Sequence, residues 1–410
     1  MGCAATGRAD RLPASTRAGA VRPVMLRLDR AVDFPGASRL HEMRWHCCIT
    51  DGCHGCSVWM ACAFRDPALL FPRPARMTDM EVRPLGRTGL VVSRIGVGLA
   101  ALGRPGYINI GHADDLERAY DVAAMQLHTH AVLDAAWAAG VRYFDVARSY
   151  GRAEEFLAHW LAARRIAPQA VVVGSKWGYT YTAGWQVRAE QHEVKEHSAT
   201  VLRRQIGESR TLLGDQLDLY QIHSATLESG VLENPPVLEA LARLRASGLA
   251  IGLTLSGPQQ AATLDKAMQV RVGNEPLFDV VQATWNLLEP SAGPALQAAH
   301  AAGMGVIVKE ALANGRLTAR NHDPAFAAHL RLFDALAAQR STTVDALALA
   351  AVLAQPWVDV VLAGAATVEH LRSNLAATRV QWDAGVAERV ASLAEHPDEY
   401  WAKRGQLAWN

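Results

Sequence analysis

The sequence predicts an α/β fold: a (β/α)8 barrel of the TIM type, opened by an N-terminal β-hairpin and preceded by an irregular or disordered leader. Three observations predict it. From Arg94 onward, short apolar runs that read as buried strands alternate about eight times with longer helical patterns, the number that closes such a barrel. Most of the intervening helical patterns stop at a glycine (Gly140, Gly214, Gly248, Gly303), as helices that turn back to a sheet do. No GxGxxG turn follows the first strand, which argues against the alternative of an open, doubly wound sheet.

The leader spans residues 1–79 and the barrel residues 80–410. The leader is rich in Arg, Pro, Cys and His without sustained periodicity, so no secure element is placed there and disorder or poor packing is expected. All six cysteines (Cys3, Cys47, Cys48, Cys53, Cys56, Cys62) fall in it. His46, Cys47, Cys48, Cys53, His54 and Cys56 offer zinc-ligand types, but no second well-spaced pair follows, and no metal site is assigned. A start of translation at Met77 or Met80 is a further reading of the same text.

The barrel elements follow in order. Residues 82–92 form the hairpin, with Gly86 and Gly89 in its turn, and 94–100 the first buried strand. The loop 103–125 is long for a compact domain, and long loops are usually binding loops or lids. A helix over 130–139 precedes strand 141–145, and a helix over 152–165 follows it. Next come strand 170–176, helix 194–213, strand 217–223, helix 237–247 and strand 250–256. Pro258 then stands at a helix start. Strand 278–285, helix 295–302, strand 305–310, helices 325–339 and 344–353, strand 358–364, and helices 368–377 and 384–394 complete the chain.

Bulk composition bounds the function. The chain has 410 residues, a net charge of +1 and 50% hydrophobic residues, ample for one large domain. The near-neutral balance gives no support for a nucleic-acid partner, and no apolar run reaches the length of a membrane span. A cysteine-free body reads as cytoplasmic.

Three ionisable groups stand at the carboxyl ends of three successive strands: Asp145, Lys176 and His223, with Tyr150 just beyond the first. Singly, each has a bland reading as a cap, a solvated charge or a polar residue under a loop. In a barrel those ends converge on one mouth, and there the set makes chemical sense. An ammonium beside a phenol lowers the phenol's pKa, a carboxylate fixes the ammonium, and a histidine orients a carbonyl oxygen. Such equipment protonates a carbonyl oxygen while a hydride reaches its carbon.

This text resembles the aldo-keto reductase family. The likeness is carried by Gly-Val-Arg-Tyr-Phe-Asp-Val-Ala-Arg-Ser-Tyr-Gly (140–151), Gly-Ser-Lys-Trp (174–177) and the stretch from Glu208 to His223, and it covers about residues 81–395. The resemblance implies Tyr150 as general acid, Lys176 as its pKa-lowering partner, Asp145 as the lysine's counter-ion and His223 as the carbonyl orienter. It also implies NADP(H), with NAD(H) as the alternative.

For the cofactor it implies Thr254 and Gln282 at the nicotinamide amide, and Lys309 where an aromatic usually stacks on that ring. Leu255 stands in place of an amide-binding asparagine. Leu312 belongs to the pyrophosphate clasp, Gly364 to Thr367 form the phosphate loop, and Asn374 is the adenine contact. The basic residues that usually grip the 2′-phosphate are replaced by Gly364, Ala366 and His370. Trp177, Tyr179, Tyr107 and Trp285 are the candidate pocket aromatics.

The expected activity is an NAD(P)H-dependent oxidoreductase interconverting carbonyls (aldehyde, ketone or sugar) and alcohols. Its partner is a small-molecule carbonyl or alcohol substrate, with neither nucleic acid nor membrane, and the chain is a monomer or homo-oligomer. The competing readings are a cofactor-binding regulatory module of the channel β-subunit type and a lysine Schiff-base aldolase.

Overall fold

The computed structural model describes residues 80–410. The leader and its Cys/His cluster lie outside the described residues. Eight parallel strands close a barrel: β1 (Ile95–Gly98), β2 (Tyr143–Asp145), β3 (Val172–Trp177), β4 (Leu217–Ala225), β5 (Ala250–Leu255), β6 (Val280–Thr284), β7 (Gly305–Lys309) and β8 (Val360–Ala363). β8 pairs back onto β1 through Val361 opposite Ile95. β-Branched and other apolar residues dominate these strands because they are covered on both faces, by helices outside and by packed side chains within.

The lower half of the barrel is filled by Tyr143, Val172, Leu219, Val280, Ile307, Val360 and Leu362. Leu85, from the hairpin formed by Val82–Pro84 and Val91–Ser93, plugs that end and is wholly buried. Tyr143 needs two glycines. A Cβ on Gly96 would come within 2.6 Å of its ring, and one on Gly174 within 2.5 Å of its hydroxyl. With that space the phenol rises through the barrel and reaches the mouth.

Several elements differ from the expected ones. The helix placed at 130–139 is Val122–Ala138, starting where the Asp121 carboxylate accepts from Ala124 N at 2.9 Å. A working N-cap outweighs the weak apolar periodicity of its first turns. The long loop is thereby shortened, and it carries a short helix, His112–Asp115. The helix expected from 194 begins at Ala199, capped by Ser198. Residues 193–195 instead pair antiparallel with Tyr179–Tyr181 as a hairpin above the barrel mouth. A helix at Pro397–Gly405 was not expected at all. Among the described residues, no helix is long and apolar enough to cross a membrane.

Candidate active site

Strand register brings the predicted residues together. Asp145 ends β2 and pairs with Gly174, two residues before Lys176 on β3, and Lys176 pairs with Gln221, two residues before His223 on β4. Lys176 is 1% exposed. Its ammonium donates to the Asp145 carboxylate and, at 2.9 Å, to the Val146 carbonyl. The other carboxylate oxygen of Asp145 accepts from Gln282 Nε2 at 2.9 Å and from the Tyr143 hydroxyl at 3.2 Å. A buried charge pair is stable only when its remaining donors and acceptors are matched, and here three further groups do that.

Tyr150 sits in the turn after β2, its N–H donating to Ala147 O at 3.1 Å. Lys176 Nζ lies 4.8 Å from its ring centre and the Arg104 guanidinium 5.3 Å from it. His223 meets the Tyr150 ring edge-on at 5.5 Å and the Tyr179 ring at 4.9 Å. The His223 carbonyl is tied to His197 Nε2 at 2.9 Å.

The electrostatics depart from the expectation in one respect. Burial, reinforced by the Asp145 charge, holds the Tyr150 hydroxyl well above the ordinary phenol range. The net shift is thus opposite to the expected lowering by Lys176, because burial and the Asp145 charge prevail. The phenol is therefore stored protonated, the form a proton donor needs. Burial likewise lowers Lys176, against the pull of Asp145. His223 is held well below the usual histidine value by burial and by the Lys176, Lys309 and Arg104 charges. A neutral imidazole has one donor and one acceptor nitrogen, and with Nδ1 3.5 Å from Ser149 Oγ, Nε2 is the one left for a substrate.

Beside this set is a second cluster. Lys309 Nζ donates to Thr284 Oγ1 at 2.8 Å, and Thr284 Oγ1 donates to Glu310 Oε2 at 3.0 Å. Arg404 grips Glu310 through Nε at 2.9 Å and Nη2 at 2.5 Å. Burial lowers Lys309 to about 8, with Arg404 and Lys176 adding and Glu310 opposing. Glu310 is lowered to about 2, because Arg404 and Lys309 outweigh the opposing cost of burial. Glu310, Ala313 and Asn314 all take left-handed backbone angles (φ 56°, 48° and 55°), a strained state for residues with a Cβ.

The site opens into a cavity of about 760 Å³ running from Asp145, Tyr150 and His223 to His370, Ser373 and Asn374. Gln282, Lys309, Leu312, Gly364, His370 and Asn374 line it. Thr254 does not. It is fully buried, and its hydroxyl accepts from Ser224 N at 2.7 Å, while its neighbour Ser256 faces the cavity. Gln282 spends its amide nitrogen on Asp145. Thr367 caps the helix Val368–Leu375, accepting from His370 N at 3.1 Å.

Of the candidate aromatics, Tyr107 and Tyr179 line the cavity, whereas Trp177 and Trp285 do not. Strand alternation turns Trp177 away from Lys176 and into the core, edge-on to His197 at 5.6 Å. Trp285 packs edge-on against Trp357 at 5.6 Å.

Sequence reasoning missed Arg104, Glu193, Glu310, Arg404 and Trp409, all on the cavity wall. Arg104 is paired with Glu193 and lies 4.8 Å from the Trp409 ring. Glu310 could have been found, as a carboxylate at a strand end. Arg404 and Trp409 carried no local signal.

The cavity's lining suits a dinucleotide. It presents catalytic groups at one end and the first turn of Val368–Leu375 at the other, where unbonded N–H groups favour anions. Asn314, 6% exposed on its wall, keeps a side-chain oxygen without a partner.

A closed barrel with a Tyr/Lys/Asp/His cluster at its mouth defines a class of barrel oxidoreductase, and comparison with known proteins agrees. The profile describing the Aldo/keto reductase family matches residues 94–395, and the chain belongs to that family. It is 31% identical over 164 residues to pyridoxal 4-dehydrogenase of Microbacterium luteolum, a match covering 35% of this chain and 43% of that one. It is 26% identical to aldo-keto reductase str7 of Strobilurus tenacellus, over 80% of this chain and 97% of that one. Aldo-keto reductase AKR11C1 of Bacillus halodurans shares the fold, with a TM-score of 0.59 and 20% identity over 77% of this chain and 97% of that one. The chain is thus an oxidoreductase of carbonyls and alcohols by family.

Proposed function

We propose that this chain interconverts a carbonyl and an alcohol by hydride transfer with a nicotinamide dinucleotide, Tyr150 serving as general acid. The observation that carries the reading is Tyr150, its ring centre 4.8 Å from the buried Lys176 ammonium and its hydroxyl kept protonated by burial. The bound dinucleotide supplies or accepts the hydride. Gln282, Lys309, Leu312, Gly364, the Thr367 turn, His370 and Asn374 would hold it.

The protein's own groups handle the proton. In the reducing direction Tyr150 gives its proton to the oxygen that the hydride leaves negatively charged. Lys176 then stabilises the phenolate, because a charge created in a buried site is felt strongly. Asp145 keeps Lys176 in place, and neutral His223 donates a hydrogen bond to the substrate oxygen. In the oxidising direction the same phenolate removes the alcohol proton. Aromatic walls from Tyr107, Tyr179 and Trp409 exclude water.

Lys309 and the fully buried Leu255 favour a second reading, a cofactor-binding regulatory module with little turnover. The test is turnover on an aldehyde, ketone and sugar panel by the wild type and Tyr150→Phe, alongside fluorescence titration with reduced cofactor. Turnover that falls about 10²–10⁴-fold in the variant, with cofactor binding kept, is expected. Tight cofactor binding without turnover on any substrate would favour the regulatory module. No cofactor binding would remove both.

A further inference from the structure

The far end of the cavity is held by an ion pair that the catalytic chemistry does not use. Asp115, from the loop after β1, faces Arg320, from the loop after β7. Arg320 Nη1 donates to Asp115 Oδ2 at 2.8 Å and Nη2 lies 2.8 Å from Oδ1, a two-pronged contact. His370 Nε2 is 3.8 Å from the same carboxylate. The seat for the guanidinium is built: Nη2 also donates to Gly111 O at 2.9 Å, and a Cβ on Gly111, whose φ is +75°, would come within 2.4 Å of it. Asp115 has 8% of its side chain exposed, against 34% for Arg320.

Apart from the helix N–H groups, the side-chain charge at this end runs against a further phosphate on the ribose. Its lining sets the Arg320 guanidinium and the His370 imidazole against three carboxylates, Asp115, Asp345 and Glu369. The other cationic side chains on the cavity wall, Arg104, Lys309 and Arg404, stand by the catalytic cluster. With its nitrogen turned toward acceptors, the Asn374 amide donates to Asp345 Oδ2 at 3.0 Å. A ribose phosphate carries close to two negative charges at neutral pH. To bind here it would have to displace Asp115 from Arg320 and then lie beside the displaced carboxylate. A ribose diol meets no such obstacle, since a carboxylate accepts its hydrogen bonds, as acidic residues do in other dinucleotide sites.

We infer that Asp115, clamped by Arg320, occupies the place a 2′-phosphate would need and so selects NAD(H) over NADP(H). This rests on the dinucleotide reading of the cavity given above, and it reverses the NADP(H) preference that the family resemblance implies. Asp115 is a specificity residue, remote from the hydride.

The experiment is equilibrium titration of the folded full-length chain, by nicotinamide fluorescence with NADH and NADPH. Calorimetry with ADP-ribose and its 2′-phosphate isolates the adenosine end. The wild type should bind NADH at least tenfold more tightly than NADPH, and the ribose pair should show the same ratio. Asp115→Asn should lower that ratio at least tenfold by tightening the phosphorylated ligands, because Arg320 is then free. Asp115→Ser guards against a misfolded first variant and should shift the ratio the same way. Wild-type preference for NADPH, or an unchanged ratio in both folded variants, overturns the inference and leaves the oxidoreductase reading intact. Failure of the wild type to bind either dinucleotide overturns both.

Discussion

Two side chains at the barrel mouth, Asp145 in the catalytic cluster and Lys309 beside it, set the behaviour of the site. Asp145 joins Lys176, Gln282 and Tyr143, so Asp145→Asn strands an ammonium in the barrel. Breaking a buried pair by removing one partner costs about 3–5 kcal/mol. Chemical denaturation should show a loss of that order, and turnover should fall with it. Lys309 is lowered to about 8 by burial, so it is cationic below that pH and neutral above. An oxidised nicotinamide ring is itself positive, and in the proposed cofactor complex an ammonium beside it would be repulsive. Affinity for oxidised cofactor should therefore rise several-fold between pH 7 and 9 in the wild type. Lys309→Met should bind it with no such slope, and titration across that range checks both.

At the scale of elements, the helix Pro397–Gly405 is fastened to the barrel by Arg404 on Glu310. Glu310 drops from an ordinary carboxylate value to about 2 because Arg404 and Lys309 prevail over burial. A lowered carboxylate pKa gives stability present above the unfolded value of about 4.5 and lost as pH falls toward 2. Arg404→Met should cost about 3 kcal/mol at pH 7, and the gap to wild type should narrow between pH 4.5 and 2 in urea melts.

The barrel strands were legible in the sequence because strands buried on both faces must be continuously apolar. Asp145, Lys176 and His223 were legible because each closes such a run. The roof was not. The hairpin Tyr179–Tyr181 with Glu193–Lys195 has three-residue strands, too short for a period. Trp409 is held at the site by the pairing of Asn410 with Tyr107, N–H to carbonyl at 3.1 Å in both directions, and by its own contacts with His192 and Arg104. No local pattern encodes a contact across some 300 residues.

For the molecule as a whole, the two ends of the barrel divide the work. Leu85 closes the lower end among Tyr143, Val280 and Ile307, remote from the cavity. Leu85→Ala should lower stability by about 2–5 kcal/mol while leaving KM for the cofactor unchanged, a separation that melts and steady-state kinetics on one preparation would reveal. The upper end is built differently, with left-handed backbone at Glu310, Ala313 and Asn314 in the loop after β7.

Those three residues make the loop behind the cavity wall, to which Glu310 and Asn314 belong, a loaded spring that the rest of the fold holds compressed. A left-handed residue with a Cβ costs about 1–2 kcal/mol, less for asparagine, a debt the chain could have avoided at Glu310 and Ala313 with glycine. Ala313→Gly should release part of it, raising stability by up to about 1 kcal/mol in thermal melts. The gain would come with a looser wall and weaker dinucleotide binding, so the chain's natural sequence stands at a compromise between holding together and holding its ligand.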